Sequence, residues 1–361
     1  MVPGRLRGTT EGSGRAVSEI LVTGGNGFVG RHLVAALQDR GDAVRVLALP
    51  GEDTSWLSRR GVALYEGDVC RPETLVAPVR GVAAVLHLAG MMGLWRPLED
   101  YRAVNVAGTR HVCRAALDAG VGRVVHVSTS SVYGTGCDGW LDEGRPLQPF
   151  PDPYALTKAA GDLAVQAMIA DEQLPAVIIR PGQIFGPGDD LHFGRMADRL
   201  SQGRGVIVGR GDNALPLVYV SDVVQGLLLA LDHDQAVGQA YNITNDDPLT
   251  QQQLLEAIAE EIGARPPRLH VPYRPLYAAG YVAERLAMAT PGWRRPPITR
   301  LGVAFFGTAN RHSIDKARRG LGFAPAVSIR EGVRRSAAWY RRERRPLTGA
   351  ASIDAPQRVE A

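Results

Sequence analysis

Residues 20–30 read Ile-Leu-Val-Thr-Gly-Gly-Asn-Gly-Phe-Val-Gly: a β-branched run, glycines at 24, 27 and 30, and the first residues of a helical pattern. Val29, Leu33 and Leu37 then recur every four residues, with Val34 and Ala36 beside them, and Gly41 follows Arg40 as a helix stop. Few folds accept a turn this tight between a strand and a helix. Gly24 permits the turn, Gly27 lets backbone amides approach a pyrophosphate, and Gly30 lets the helix pack close to the sheet. The free N–H groups and the positive dipole end of that helix would face the anion. The expectation is a dinucleotide-binding βα unit.

The strand–helix rhythm continues. A buried-type strand over 43–49 ends in Ala48–Leu49–Pro50, with neither the acid that grips ribose hydroxyls nor an arginine for a 2′-phosphate. Glu52 and Asp53 follow slightly late, so NAD and NADP stay equally open. A third strand over 62–65 is closed by Asp68 and Val69, and a fourth over 83–88 leads into Ala89 and Gly90, small enough for backbone to pass close to ribose and phosphate. His87 reads as structural. Met91, Met92, Leu94 and Trp95 follow at a strand end, either as core filling or as the wall of an apolar pocket. A helix over 101–119 carries Asn105, a poor helix former whose amide could serve a site. A fifth strand over 123–127 runs into the polar stretch 128–134.

Asp152 and Pro153 open the next helix as cap and first residue. Tyr154 and Lys158 lie at i and i+4, on one face. A sixth strand over 176–180 leads into Pro181 and Ile184. This alternation predicts an α/β, Rossmann-type doubly wound parallel sheet with a smaller C-terminal substrate-binding lobe. The expected dinucleotide-binding domain is 19–185 plus about 217–245, and the lobe is 186–216 and 246–345. Residues 1–18 and 346–361 read as a disordered lead-in and tail.

Charge excludes some functions. The formal net charge is +4, yet residues 330–345 alone hold seven arginines and two glutamates, leaving the rest near neutral. That argues against a nucleic-acid footprint, and the Arg-rich helix reads as a solvated face. Cysteines 70, 113 and 137 lack metal-site spacing and fit reduced thiols in a cytoplasmic protein. No window carries the ~18 uncharged apolar residues of a spanning helix. No metal is expected.

Tyr154 matters chemically only as a proton carrier, and a free tyrosine titrates near ~10. An ammonium about 5 Å away at an effective dielectric of ~20 contributes roughly 3 kcal/mol, about two pKa units. An oxidised nicotinamide would add to this and bring the phenol toward the useful range for acid–base work. Thr129 would hold the same substrate oxygen.

The chain resembles the extended short-chain dehydrogenase/reductases. The matching motifs are TGGNGFVG (23–30), GDV (67–69), HLAG (87–90), NVAGT (105–109), VSTSSVYG (127–134), YALTK (154–158), RPGQIFGPGD (180–189) and LVYVSDV (217–223). The resemblance implies Thr129, Tyr154 and Lys158 as the catalytic set. Around the cofactor it implies Gly24, Gly27, Phe28, Val29, Asp68, Val69, Ala89, Asn105, Lys158, Pro181 and Ile184. Sugar-nucleotide 4,6-dehydratases carry Asp and Glu where this chain has Ser130 and Ser131, so dehydration is not expected. Where related epimerases carry a pyrophosphate-gripping arginine, this chain has Leu215, although Arg210 or Arg300 could substitute. Residues 298–333 resemble the branch of 3β-hydroxysteroid dehydrogenases and 2-alkyl-3-oxoalkanoate reductases. Together these imply an NAD(P)-dependent alcohol/ketone oxidoreductase on a lipophilic small molecule, with Leu94, Trp95 and residues 273–288 facing it. A sugar-nucleotide epimerase or ketoreductase is the alternative, and a non-catalytic NAD(P)-sensing protein a third reading. A homodimer is implied by resemblance only.

Overall fold

The computed structural model describes residues 18–93, 95–137, 139–289 and 296–344. The expected flanks (apart from Ser18) and Leu94 lie outside the described residues. Seven strands form one parallel sheet: β1 (Glu19–Thr23), β2 (Ala43–Ala48), β3 (Ala63–Glu66), β4 (Ala84–His87), β5 (Arg123–Val127), β6 (Ala176–Pro181) and β7 (Ala240–Ile243). Their order across the sheet is 3-2-1-4-5-6-7, as the doubly wound reading requires. Thr23 stands opposite both Leu47 and His87, so the ends of β1, β2 and β4 align where the winding reverses. Ligands bind such sheets at that edge.

The central strands are largely apolar because both sheet faces are covered there, whereas edge strand β3 is mostly exposed. Ile20, Val22, Val125, Val177 and Ile179 point into one apolar layer with α1 (Phe28–Asp39). Leu21, Val124 and Ile178 point into the other, with α2 (Thr109–Asp118) and α3 (Pro153–Glu172). Helix α4 (Val220–Asp232) joins the α1 side through Val223, Val224 and Leu227.

A second cluster forms the lobe around Phe193, Leu200, Leu215 and Tyr219, with α5 (Gln251–Ile262) supplying Leu254 and Ile258. Helices α6 (Tyr273–Ala289) and α7 (Arg300–Gly307) pack on one another beside it. The expected boundary at 246–345 needs one change. Helix α8 (Asp315–Leu321) buries Ile314, Ala317, Leu321 and Phe323 in the sheet's own layer, not in the lobe. Helix α9 (Ile329–Trp339) returns to the lobe through Val333 and Ala337. Its arginines are not uniformly solvated: Arg334 and Arg335 pair with Glu331, but Arg344 reaches back to Asp198 at 2.7 Å and to Asp190. Among the described residues no helix is long and apolar enough to cross a membrane.

Candidate active site

The glycine turn is as tight as its sequence foretold. Gly24 adopts φ +72°, and a Cβ there would sit 2.8 Å from the Ala89 nitrogen, so the turn lies against the end of β4. A Cβ on Gly30 would run into the Gly24 carbonyl. Gly27 caps α1, donates to that carbonyl at 3.1 Å, and brings no side chain to the first-turn amides of the helix. Those amides need an outside acceptor, and a pyrophosphate fits them.

The tip of β2 holds an acid after all. Glu52 folds back and accepts from Asn26 Nδ2 at 2.8 Å and from the Leu49 amide at 3.1 Å. Arg31 Nη2 donates to Asn26 Oδ1 at 2.9 Å, and Arg31 and Arg60 both stack on Trp56.

The other residues implied around a cofactor sit as follows. Asp68 closes β3, with Oδ1 accepting from the Cys70 amide at 2.8 Å, while Val69 is buried. Ala89 donates its N–H to Thr23 Oγ1 at 3.3 Å. Phe28 and Val29 are half-buried, wedged against the lobe cluster. Pro181 ends β6 opposite Ile243, and Ile184 lies in a short strand (Gln183–Phe185) beside Leu217–Tyr219.

Asn105 is more committed than expected. It sits in a wide π-helical turn (Ala103–Gly108) that interrupts the predicted helix. Its Oδ1 accepts from Met91 N at 2.8 Å, and its Nδ2 donates to Met91 O at 3.1 Å and Thr157 Oγ1 at 3.0 Å. The amide thus ties the loop after β4 to α3. His87 is a strut as well, bonded to Thr23 at 2.7 Å and Thr109 at 3.1 Å, and burial pulls its ring down to about 3.

Thr129, Tyr154 and Lys158 converge at the carboxyl end of β5. Thr129 caps a tight helical turn (Ser130–Tyr133) by accepting from Ser131 N at 3.2 Å, and its hydroxyl lies close enough to the Tyr154 phenol to pull it down. Asp152 caps α3 through the Tyr154 amide at 2.9 Å. One turn later, Lys158 is buried and donates from Nζ to Val127 O at 2.7 Å. A Cβ on Gly90 would lie 4.0 Å from that Nζ, so the β4 edge passes directly beside it.

The electrostatics correct one expectation. Burial pushes the Tyr154 phenol up to about 12, outweighing the downward pull of the Thr129 bond, and Asp152 adds a smaller upward push. Lys158 does not bring the phenol toward neutrality in this arrangement. Burial instead pulls the lysine down to about 8, against the attraction of Asp162. Desolvation disfavours the charged form of each group and is the largest influence on both.

Sequence reasoning passed over what supports Lys158. Asp162, four residues on, is fully buried and takes two bonds from Arg180, at 2.9 and 2.8 Å. Arg180 also donates to Tyr133 Oη at 2.8 Å, which donates to Asn242 at 2.9 Å. Burial alone would raise Asp162, but the guanidinium holds it below the usual range. The available signals were the Lys-x-x-x-Asp spacing and an arginine ending an otherwise apolar strand.

Just ahead of the Asp152 cap, Phe150 meets Tyr277 edge-on at 6.4 Å, and Tyr277 meets Tyr273 at 5.7 Å. Leu215 is fully buried in the lobe core. Neither arginine proposed as its substitute is free. Arg210 is 87% exposed and paired with Asp212 at 2.8 Å, and Arg300 is held by Glu284 at 2.5 Å. Among the described residues no group of three His, Cys, Asp or Glu could hold a metal ion.

Residues 20–244 match the model of the NAD dependent epimerase/dehydratase family. The chain is 35% identical over 329 residues to a 2-alkyl-3-oxoalkanoate reductase of Stenotrophomonas maltophilia, covering 88% of this chain and 98% of that one. It is 31% identical over 327 residues to the decarboxylating sterol-4-alpha-carboxylate 3-dehydrogenase of Mus musculus, covering 87% and 89%. The structure of the dTDP-glucose 4,6-dehydratase DesIV of Streptomyces venezuelae, solved with NAD, superposes with a TM-score of 0.73. It shares 28% identity over 91% of this chain and 99% of that one.

Proposed function

The chain belongs to the NAD dependent epimerase/dehydratase family, and from that premise we propose that it interconverts a secondary alcohol and a ketone on a lipophilic substrate. The observation that carries this is the meeting of Thr129, Tyr154 and Lys158 beside the Gly24 turn and the Gly90 edge. A nicotinamide dinucleotide bound along that edge supplies or accepts the hydride. Gly27, Phe28 and Val29 would hold its pyrophosphate by backbone amides. Glu52 at the β2 tip would take the ribose hydroxyls, which favours NAD over NADP.

Tyr154 stands protonated at neutral pH, the form that would donate to a carbonyl oxygen in ketone reduction. Thr129 would bond the same oxygen. Lys158 is mostly charged at pH 7 and would anchor the nicotinamide ribose.

An apolar substrate accords with Leu215 being buried where a nucleotide-gripping arginine would stand, and with the Phe150, Tyr277 and Tyr273 rings. A buried pyrophosphate lacking that arginine forgoes charge-assisted bonds worth ~1.5–3 kcal/mol each. The reductase and sterol dehydrogenase relatives point the same way. Outward Leu156 and Leu163 on α3, 40% and 52% exposed, support a homodimer through that helix. Free Cys70, Cys113 and Cys137 support a reducing, cytoplasmic setting.

The test is thermal-shift screening, with NAD present, of 3-oxo acids and 3-keto sterols against UDP- and TDP-sugars. Stabilisation by the lipophilic ketones is expected. Stabilisation by a nucleotide sugar instead would transfer the assignment to the epimerase or ketoreductase alternative.

A further inference from the structure

Helix α6 runs for 17 residues yet buries only Gly280 and Glu284. Those two face α7, where Gly280 lies against the Thr299–Arg300 backbone and Glu284 grips Arg300. Tyr277 turns toward Phe150, two residues before the Asp152 cap that positions Tyr154. The opposite side is open. Val282 and Leu286 are 55% and 63% exposed there, Leu269, just before the helix, is 62% exposed, and Tyr281 and Met288 add 49% and 38% exposed surface, the Tyr281 ring lying toward α7 against the Arg300 guanidinium. These are five of the fourteen exposed large apolar residues among those described, gathered within twenty positions. Single exposed leucines mean little, but a concentration of this kind marks an interaction surface.

The charges beside it select the occupant. Residues 263–289 contain four arginines, 265, 268, 274 and 285, and one acid, Glu284. All four arginines are exposed and take part in no ion pair among the described residues, while Glu284 is turned inward. A second copy docked face to face would set these arginines against their own images. An anionic lipid surface meets both demands at once, receiving the apolar ridge between headgroups and pairing phosphates with the flanking guanidiniums.

We propose that the outer face of α6 rests on an anionic membrane surface, the helix axis lying in its plane. Its inner face borders the approach to Tyr154, so an apolar substrate would pass from bilayer to site along this helix. That consequence rests on the lipophilic-substrate reading; the docking itself does not.

The full chain is sedimented with phosphatidylcholine vesicles with and without phosphatidylglycerol, in the absence of substrate. Wild type should bind the anionic vesicles, more weakly as salt rises. The doubly substituted Val282→Glu/Leu286→Glu chain should bind at least about tenfold more weakly and keep wild-type affinity for NAD and a wild-type melting temperature. A second double variant, Arg274→Glu/Arg285→Glu, should lose the preference for anionic over neutral vesicles. Absence of wild-type binding, or equal binding by the Glu variants, overturns the proposal. So does gel filtration in which wild type is larger than the Val282→Glu/Leu286→Glu chain, because the face would then join two copies. Nucleotide-sugar preference in the thermal-shift screen would remove the substrate reading and leave vesicle binding as it is.

Discussion

Replacing Lys158 by methionine should raise stability at neutral pH while removing activity. Burial lowers the folded-state lysine from its ordinary 10.5 to about 8, a difference equivalent to about 3 kcal/mol. The sign follows from the order of the two values. Because the folded pKa lies below the unfolded one, the cost of the buried ammonium is fully present below pH 8 and fades as pH rises toward 10.5. Against this, methionine leaves the Val127 carbonyl without its 2.7 Å donor, a loss of about 1–3 kcal/mol. The net gain at pH 7 is then about 1 kcal/mol, which for a chain of this size is a rise of a few degrees in melting temperature. The assay is thermal unfolding of both proteins, followed by tryptophan fluorescence, at intervals between pH 7 and pH 10.5. The variant should melt higher at pH 7, and the gap should close and then reverse toward the alkaline end. A variant less stable at pH 7, or a gap that does not change with pH, would refute the claim that Lys158 is held at a desolvation cost.

Asp162→Asn should cost about 3–5 kcal/mol in urea unfolding, because Arg180 keeps its buried charge and loses its carboxylate. In the same variant Lys158 loses the attraction that sustains its charge, so the alkaline limb of the pH–rate profile should move to lower pH. Glu52→Ser, with Arg31 retained, removes the carboxylate at the β2 tip. It should raise the kcat/KM ratio of NADPH to NADH by about tenfold; an unchanged ratio would remove Glu52 from cofactor selection.

What could be read from the sequence was local. The glycine turn is legible because a strand, a left-handed residue at Gly24 and a helix starting at Phe28 each leave their mark within eleven positions. Tyr154 and Lys158 are legible because a helix sets i and i+4 on one face, and Asp152 with Pro153 announces where that helix starts. Tertiary placement was not legible. Whether an ammonium or desolvation governs Tyr154 depends on how deeply α3 is sunk against β5, and no spacing encodes that. The π-helical turn at Asn105 answers to the close passage of Gly161 and to Thr109, whose hydroxyl donates to the Asn105 carbonyl at 2.9 Å. Glu52 looked too late for the ribose because its return to Asn26 spans a turn. Helix α8 looked like part of the lobe because its sheet partners lie far back in the chain.

The shortest route to the central claim is Tyr154→Phe, which deletes one oxygen and leaves the ring. Cofactor affinity, titrated by quenching of tryptophan fluorescence, should stay within about threefold of wild type, since the proposed pyrophosphate cradle is backbone at Gly27 and its neighbours and does not include the phenol. Reduction of a 3-oxo substrate, followed as loss of NADH absorbance, should fall by about 10²–10⁴-fold with the proton donor gone. Undiminished turnover in that variant would contradict the account.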